Sequence, residues 1–273
     1  MLEEKYNKLR QELSSLNKVL VAFSGGVDST FLLYAAKKAL GESNVLAVIA
    51  ESPTYPRDEI ELAQKVCQGF GVNYQIIRTD EFLDHNFVSN PKDRCYFCKK
   101  ELFSKLLEIA RENGIEHVLD GSNFDDKADY RPGGKAKSEL GVKSPLMELG
   151  FTKQEIRDLS KEEGLPTWDK PSYACLASRI PYGTEITQEL LARIEEGEKF
   201  LRALGFRQLR VRHHNAIVRI EIEKDDLEKV MSSGIMNKIA KKFEELGYTY
   251  VTLDLKGYRT GSMNETISLP DYA

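Results

Sequence analysis

The segment that most constrains this chain is Ser24-Gly-Gly-Val-Asp-Ser29. It joins a hydrophobic run, Lys18-Val-Leu-Val-Ala-Phe23, to a helical pattern over 29–40. A run of that kind reads as a buried strand. The two glycines let the backbone turn sharply and approach an anion closely. A helix opening at the turn directs unpaired N–H groups and its positive dipole end at that anion. Ser24 and Ser29 add hydroxyl donors. Asp28 would repel a phosphate unless it orients the loop or holds a metal. The Gly-Lys-Ser/Thr of the usual P-loop is missing, so this is a phosphate loop of another kind.

The rest of the chain repeats the strand-then-helix alternation. Leu2, Tyr6, Leu9, Leu13 and Leu16 lie at spacings of four and three, one face of an amphipathic helix. Strands are expected over 45–50, 73–78 and 117–120. Helices are expected from Pro56 to about 70, over 99–113 and over 152–163. The alternation predicts an α/β fold, a parallel sheet with helices on both faces. Ligands bind such sheets at the carboxyl ends of the strands, so the loops after Phe23, Ala50 and Asp120 should line one site. A polar, glycine-containing loop over 122–143 includes Arg131-Pro-Gly-Gly134. An irregular stretch covers 168–183. From 187 the pattern changes to a helix reaching about 204, then two alternating runs, 208–214 and 216–223, that read as a hairpin. The boundary is placed near 184, with an α/β domain over 1–184 and a smaller α+β domain over 185–273.

Composition narrows the function. Of 273 residues, 41% are hydrophobic and 30% charged, enough for a core and a solvated surface. The mean hydropathy of −0.42 and the strand-length apolar runs argue against a membrane span. The charged N-terminal stretch has no apolar leader core, so a cytoplasmic location is expected. A net charge of −4 argues against a general nucleic-acid binder.

Four cysteines are too few for a disulfide scaffold. Cys95-Tyr-Phe-Cys98 stands just before the helix expected over 99–113, at a spacing that suits metal or redox chemistry. Cys175 lies in Pro171-Ser-Tyr-Ala-Cys-Leu-Ala-Ser-Arg179, an aperiodic segment of the type that carries function. Cys67 shares helical spacing with Ile60, Ala63 and Phe70 and reads as core. Structural zinc wants four ligands, and no histidine spacing supplies a fourth. Three cysteines on a four-iron cluster leave one iron open for a hydrosulfide. The alternative is a CxxC redox pair with an unrelated third thiol.

In the second domain, strand alternation puts Arg210, Arg212 and His214 on one face of their run and groups Arg219, Glu221 and Glu223 together in the next. Val218, Ile220 and Ile222 then face the core. Two readings stand: a solvated face with cross-strand ion pairs, or a phosphate site joined by Arg259 from its glycine-flanked turn.

The hexapeptide resembles the SGGxDS signature of the PP-loop ATP pyrophosphatases, whose fold is adenine nucleotide alpha hydrolase-like. Asp120-Gly-Ser-Asn-Phe-Asp-Asp126 is similar to their second nucleotide loop. With PSYACLASR at 171–179 and Gly257-Tyr-Arg-Thr-Gly-Ser262, the whole chain resembles the LarE family. These are ATP-dependent sulfur transferases of nickel-pincer nucleotide biosynthesis. The resemblance implies ATP and Mg2+ at Ser24, Gly25, Gly26, Asp28, Ser29 and Asp125. It implies adenylation of a carboxylate of pyridinium-3,5-biscarboxylic acid mononucleotide and its conversion to a thiocarboxylate. Cys175, Asp28 and Arg179 become catalytic candidates, Arg179 through its place four residues from Cys175. Arg212 and Arg259 become holders of the substrate phosphate, and Glu221 and Glu223 ligands of a divalent metal. Some members sacrifice the sulfur of the cysteine matching Cys175 and leave dehydroalanine. This chain departs from them in having Cys95 and Cys98, and resembles members with a [4Fe–4S] cluster on three cysteines that carries sulfide. A homohexamer is implied, with the smaller domain serving substrate binding and assembly. Two rivals remain, a PP-loop tRNA thiolase and a non-enzymatic adenine-nucleotide-binding redox or iron sensor.

Overall fold

The alternation of apolar residues in the first strand decides how the layers form. In β1 (Val19–Ala22), Val19 and Val21 turn to one face and Leu20 to the other, as a strand requires. Val19 and Val21 join a core with residues of α1 (Leu2–Ser14), α2 (Val27–Leu40) and α3 (Arg57–Phe70). Leu20 instead joins Leu102, Phe103 and Leu106 of α5 (Arg94–Glu112). Helices therefore cover both faces. The computed structural model describes residues 2–128, 132–171 and 173–265. Arg131 and Ser172, from the two irregular segments noted above, lie outside the described residues.

The first compact unit spans Met1–Tyr173. Its sheet is parallel, in the order β3-β2-β1-β4, with β2 Val45–Glu51, β3 Asn73–Arg78 and β4 His117–Asp120. The short α4 (His85–Val88) precedes α5. The expected loop over 122–143 is more ordered than its composition suggested, with a 3-10 turn at Phe124–Ala128 and α6 at Gly133–Glu139. Then come α7 (Pro145–Glu148) and α8 (Lys153–Glu162). Thr152 caps α8 with a full capping box through Glu155.

One boundary is corrected. The fifth helix starts at Arg94 rather than at 99, so Cys95 and Cys98 lie inside its opening turns and not before it. Arg94 is buried and donates to Asn90 Oδ1 at 2.9 Å, which fixes the helix start against the body.

The second unit spans Ala174–Ala273. It contains α9 (Gln188–Ala203), a hairpin of β5 (Leu209–His214) and β6 (Ile217–Ile222), then α10 (Leu227–Met231), α11 (Ser233–Glu245) and β7 (Tyr250–Leu253). The hairpin is antiparallel, and β7 runs parallel to β6. Asn215 makes its turn with φ of 55°, a conformation that asparagine tolerates well. Residues 174–184 fall with this unit, because Leu176 and Ala177 are buried and Arg179 pairs with Glu198 of α9. The units thus divide at Tyr173, earlier than the boundary near 184. Among the described residues no helix is long and apolar enough to cross a membrane.

Candidate functional site

Residues 24–29 leave the carboxyl end of β1 and enter α2 directly. Gly25 has φ of +67°, and a Cβ there would lie 3.0 Å from Ala63 Cβ of α3, so glycine is required on both counts. Gly26 is the N-cap residue, and no side chain caps the helix. The first N–H groups of α2 are thus left for an anion. Ser24 Oγ and Ser29 Oγ are 3.0 Å apart, and Ser29 Oγ donates to Gly26 O at 3.2 Å. The loop after β4 closes on the same spot. A Cβ on Gly121 would sit 2.8 Å from Ser29 N and 2.9 Å from Ser29 Cα, so the backbones touch only because residue 121 has no side chain.

Asp28 accepts from Lys153 Nζ at 2.6 Å, while its other oxygen, Oδ1, is buried without a hydrogen-bond partner. Asp125 accepts from the backbone N–H of Lys153 at 2.8 Å, which brings the second nucleotide loop to the first turn of α8. Lys170 Nζ donates to Gly25 O at 2.9 Å and to Glu59 Oε2 at 2.6 Å. Asp120 accepts from Ser122 Oγ at 2.7 Å, from Lys137 Nζ at 2.9 Å and from Ser144 Oγ. Sequence reasoning missed Lys153, Lys170 and Glu59, and named the segment that holds Gly121 without the close approach that Gly121 allows. Lys153 follows a capping threonine, yet nothing in the sequence says that its ammonium reaches back to Asp28.

Beside the loop a cleft opens between the ends of β1 and β2 and the flank of α5. Ala22, Val48, Ala50 and Leu102 form apolar walls, and Ser24, Tyr55, Glu59 and Lys99 bring polar groups. An apolar slot with few polar groups next to an anion cradle suits a base attached to phosphates. Lys99 directly follows Cys98, so the CxxC turn and the cleft share one helix. Cys95 is exposed and Cys98 half-buried. Cys67 is fully buried, and burial pushes its thiol up to about 12, which fits the expected core role.

In the second unit, Cys175 is half-buried at the mouth of the 3-10 turn Leu176–Arg179. Arg179 is 1% exposed. It pairs with Glu198 at 2.8 Å and donates to the carbonyls of Ala174 and Cys175 at 2.8 and 3.1 Å. It therefore fixes the backbone around Cys175. Burial alone would raise the Glu198 carboxyl, but Arg179, Arg210 and Arg202 hold it below the usual range.

The hairpin is not a solvated face. Arg212 is buried, and donates to Glu221 at 2.9 Å, Ser262 Oγ at 3.0 Å and Ser178 O at 3.1 Å. Arg212 Nε, Arg219 Nε and His214 Nε2 are buried without partners. Buried orphan nitrogens on one sheet are what a bound anion would satisfy. Arg259 pairs with Asp254 and Glu265 at the rim. Glu221 is already engaged at both oxygens by Arg212, Ser262 and Arg219, whereas Glu223 is exposed just past β6.

The residues fit a magnesium ion at Asp28, whose Oδ1 has no hydrogen-bond partner and is an unused carboxylate ligand for a cation that takes one or two carboxylates together with substrate phosphates. For an iron–sulfur cluster the fit is partial. Cys95 and Cys98 stand one helical turn apart, as two ligands should. Among the described residues no three His, Cys, Asp or Glu side chains gather into a metal-holding group.

Comparison with known proteins bears on the same elements. A family model described as NAD synthase matches residues 1–101, the part that holds the phosphate loop and the CxxC turn. An uncharacterized protein of Synechocystis is 42% identical over 98% of this chain and all of its own length. A component of the glutamine-hydrolyzing GMP synthase of Thermococcus kodakarensis is 26% identical, over 96% of this chain and 86% of its own. The pyridinium-3,5-bisthiocarboxylic acid mononucleotide synthase of Lactiplantibacillus plantarum is 41% identical, over 94% of this chain and 92% of its own. With SGGVDS folded as a phosphate loop and identity of that degree along nearly its entire length, the chain belongs to the LarE family, the pyridinium-3,5-bisthiocarboxylic acid mononucleotide synthase family of PP-loop enzymes.

Proposed function

We propose that the chain uses ATP to activate a carboxylate of pyridinium-3,5-biscarboxylic acid mononucleotide and exchanges one of its oxygens for sulfur. The observation that carries this reading is the 41% identity to a synthase named for a bisthiocarboxylic acid. The phosphate loop supports ATP as the activating partner.

In the first half-reaction a carboxylate oxygen attacks the α-phosphorus and the bond to pyrophosphate breaks, giving an acyl-adenylate. Free N–H groups at the start of α2 and the hydroxyls of Ser24 and Ser29 hold the phosphates. Lys153, oriented by Asp28, offers an ammonium to the charge that develops there. Magnesium held at Asp28 supplies Lewis-acid stabilisation of that charge. In the second half-reaction sulfur attacks the activated carbonyl and AMP leaves. We assign sulfur delivery to Cys95, Cys98 and Cys175, because thiolates are the usual ligands of a [4Fe–4S] cluster, which would supply sulfide. Arg179 holds the turn that presents Cys175. Arg212 and Arg259 take the phosphate of the substrate, with Arg219 and His214 beside Arg212. Glu221 and Glu223 are proposed to serve a divalent metal, and a cytoplasmic homohexamer belongs to the same reading.

The test is anaerobic reconstitution with iron and sulfide, followed by ATP, magnesium, substrate and sulfide, counting pyrophosphate and thiocarboxylate per chain. Repeated turnover is expected, and replacing any of the three cysteines should abolish the brown colour while Cys67→Ala keeps it. A count stuck at one, with Cys175 converted to dehydroalanine, defeats the cluster. Absence of pyrophosphate with the substrate present defeats the activation step itself.

A further inference from the structure

The phosphate loop is fastened directly to the segment that precedes Cys175, and a second time through α8. At one end, Lys170 is 9% exposed, and its ammonium is shared between Gly25 O at 2.9 Å and the Glu59 carboxylate at 2.6 Å. At the other, Asp28 is held by Lys153 of α8 at 2.6 Å. One turn along that helix, Arg157 donates from Nη1 to Trp168 O and from Nη2 to Lys170 O, both at 2.7 Å. The contacts close a ring: Gly25, Lys170, Arg157, α8, Lys153, Asp28 and back into the loop. Lys170 also lies 5.8 Å from the ring centroid of Tyr173, and Cys175 follows five residues after Lys170.

A filled loop must act on this ring. Gly25 lies against Ala63 of α3, with no space between them for so much as an added Cβ. Two ammonium groups bond to the loop, those of Lys170 and Lys153, and each is paired with a carboxylate. A polyphosphate competes with Glu59 and Asp28 for both. The Arg157 guanidinium holds two backbone carbonyls of residues 168–171 to α8, with Lys161 over the Trp168 ring beside it, so a shift of Lys170 acts on a segment tied to that helix.

We propose that Lys170 and Arg157 are positioning residues that pass the filling of the phosphate loop to residues 168–171, and along the continuous chain to Cys175. Cys175 is then set in place for sulfur delivery when nucleotide is bound, which keeps sulfur from being delivered before an acyl-adenylate exists. This rests on the ATP reading of the loop.

Trp168 is the sole tryptophan of the sequence and lies in the moving segment, with Lys161 Nζ 4.8 Å from its ring centroid. The experiment uses the full chain and a non-hydrolysable ATP analogue with magnesium. Binding is measured by equilibrium dialysis, Trp168 by emission, and Cys175 by peptide-resolved alkylation. In the wild type the bound analogue should shift Trp168 emission and change the Cys175 alkylation rate about fivefold or more, the lower end of ordinary coupling between sites. In Arg157→Met the analogue should still bind while both responses collapse, and Arg157→Lys should restore part of them; in Lys170→Met binding should weaken, and both responses should be lost even at saturation. Responses that persist in both variants, or are missing from the wild type at saturation, overturn the coupling and leave nucleotide binding intact. No binding by the wild type defeats the nucleotide reading and the coupling with it. Hydrogen exchange of residues 168–171 in the wild type gives a measurement independent of variant folding: protection that rises with the analogue supports the coupling, and unchanged protection overturns it.

Discussion

The two units place the charged pairs of their candidate sites differently. In the first, the central strands β1 and β2 are apolar on both faces, and the working groups sit at the carboxyl ends of the strands. Asp28 and Lys153 keep 20% and 30% of their side chains exposed. In the second, charge lies within the fold: the Arg179–Glu198 side chains are 1% and 0% exposed, and Arg212–Glu221 are 6% and 0%. The difference follows from the donor each unit offers. A loop that binds phosphate through backbone N–H groups can rest on an apolar core, because its donors come with the helix start. A sheet that presents guanidinium groups must desolvate them and match each with a carboxylate, at a cost that often cancels the attraction. The second unit therefore gives up stability to hold arginines in place.

The strongest way to break this comparison is Glu198→Ala. It strands Arg179 in the core, and losing one partner of a buried pair costs about 3–5 kcal/mol. Denaturant unfolding followed by hydrogen exchange should localise the loss to the second unit. A change under about 1 kcal/mol, the range of surface pairs, would erase the contrast.

In the first unit the corresponding change should spare the fold and remove the chemistry. Asp28→Ala is expected to slow pyrophosphate release by about 10²–10³, the usual loss for one preorganised electrostatic contact. Unfolding midpoints close to wild type complete the prediction, and Ser29→Ala should follow the same pattern more weakly. Wild-type rates in both variants would return the loop to an ordinary glycine turn.

Acid should separate the units without mutation. Burial, with Arg193 and His214 nearby, holds His213 below the ordinary histidine value. Burial and the charges of Arg219 and Arg212 do the same to His214, against an opposing pull from Glu221. A lowered folded value means that the unfolded chain binds the proton first. Their contribution is present above about pH 6.5 and is lost as pH falls through the folded values. Glu198 adds a second loss below about pH 4.5, the ordinary glutamate range, because its folded value is also lowered. Hydrogen exchange should show the second unit softening between pH 7.5 and 5.5 by less than the Glu198→Ala loss. Replacing His213 and His214 together by glutamine should flatten that response; an unchanged pH dependence in the double variant would remove the histidines from the account.

The smallest effect is reserved for a surface pair within the same unit. Lys242 and Glu196 meet at 2.9 Å with side chains 24% and 52% exposed. Lys242→Ala should cost no more than about 1 kcal/mol. A larger loss would mean that position in the second unit, not burial, sets the value of its ion pairs.

Several elements were legible because the signal was local. The helix face of Leu2, Leu9 and Leu13, the strand Val19–Ala22 and the glycine turn after it each follow from spacing within a few residues. Cys67 was read as core from its helical neighbours, and it is buried. The start of α5 was read too late because Arg94, a charged residue in the sequence, turns inward to Asn90 at 2.9 Å. The hairpin left two readings open, since alternation gives a face but not what covers it.

The sequence by itself determined the alternation of the main strands and helices of the first unit, the phosphate loop and the family, because periodicity, turn chemistry and motif act over short stretches of chain. Tertiary structure alone decided which charges meet. Lys153 reaches Asp28 across 125 positions, and Lys170 reaches Gly25 across 145. Ser262 joins Arg212 across 50, and Gly121 lets the loop after β4 press on Ser29. The physical reason is that an ammonium or a guanidinium looks alike at every position in a sequence. Its partner is chosen by where the packed sheet and helices deliver the other charge, and by the need to compensate it once water is excluded.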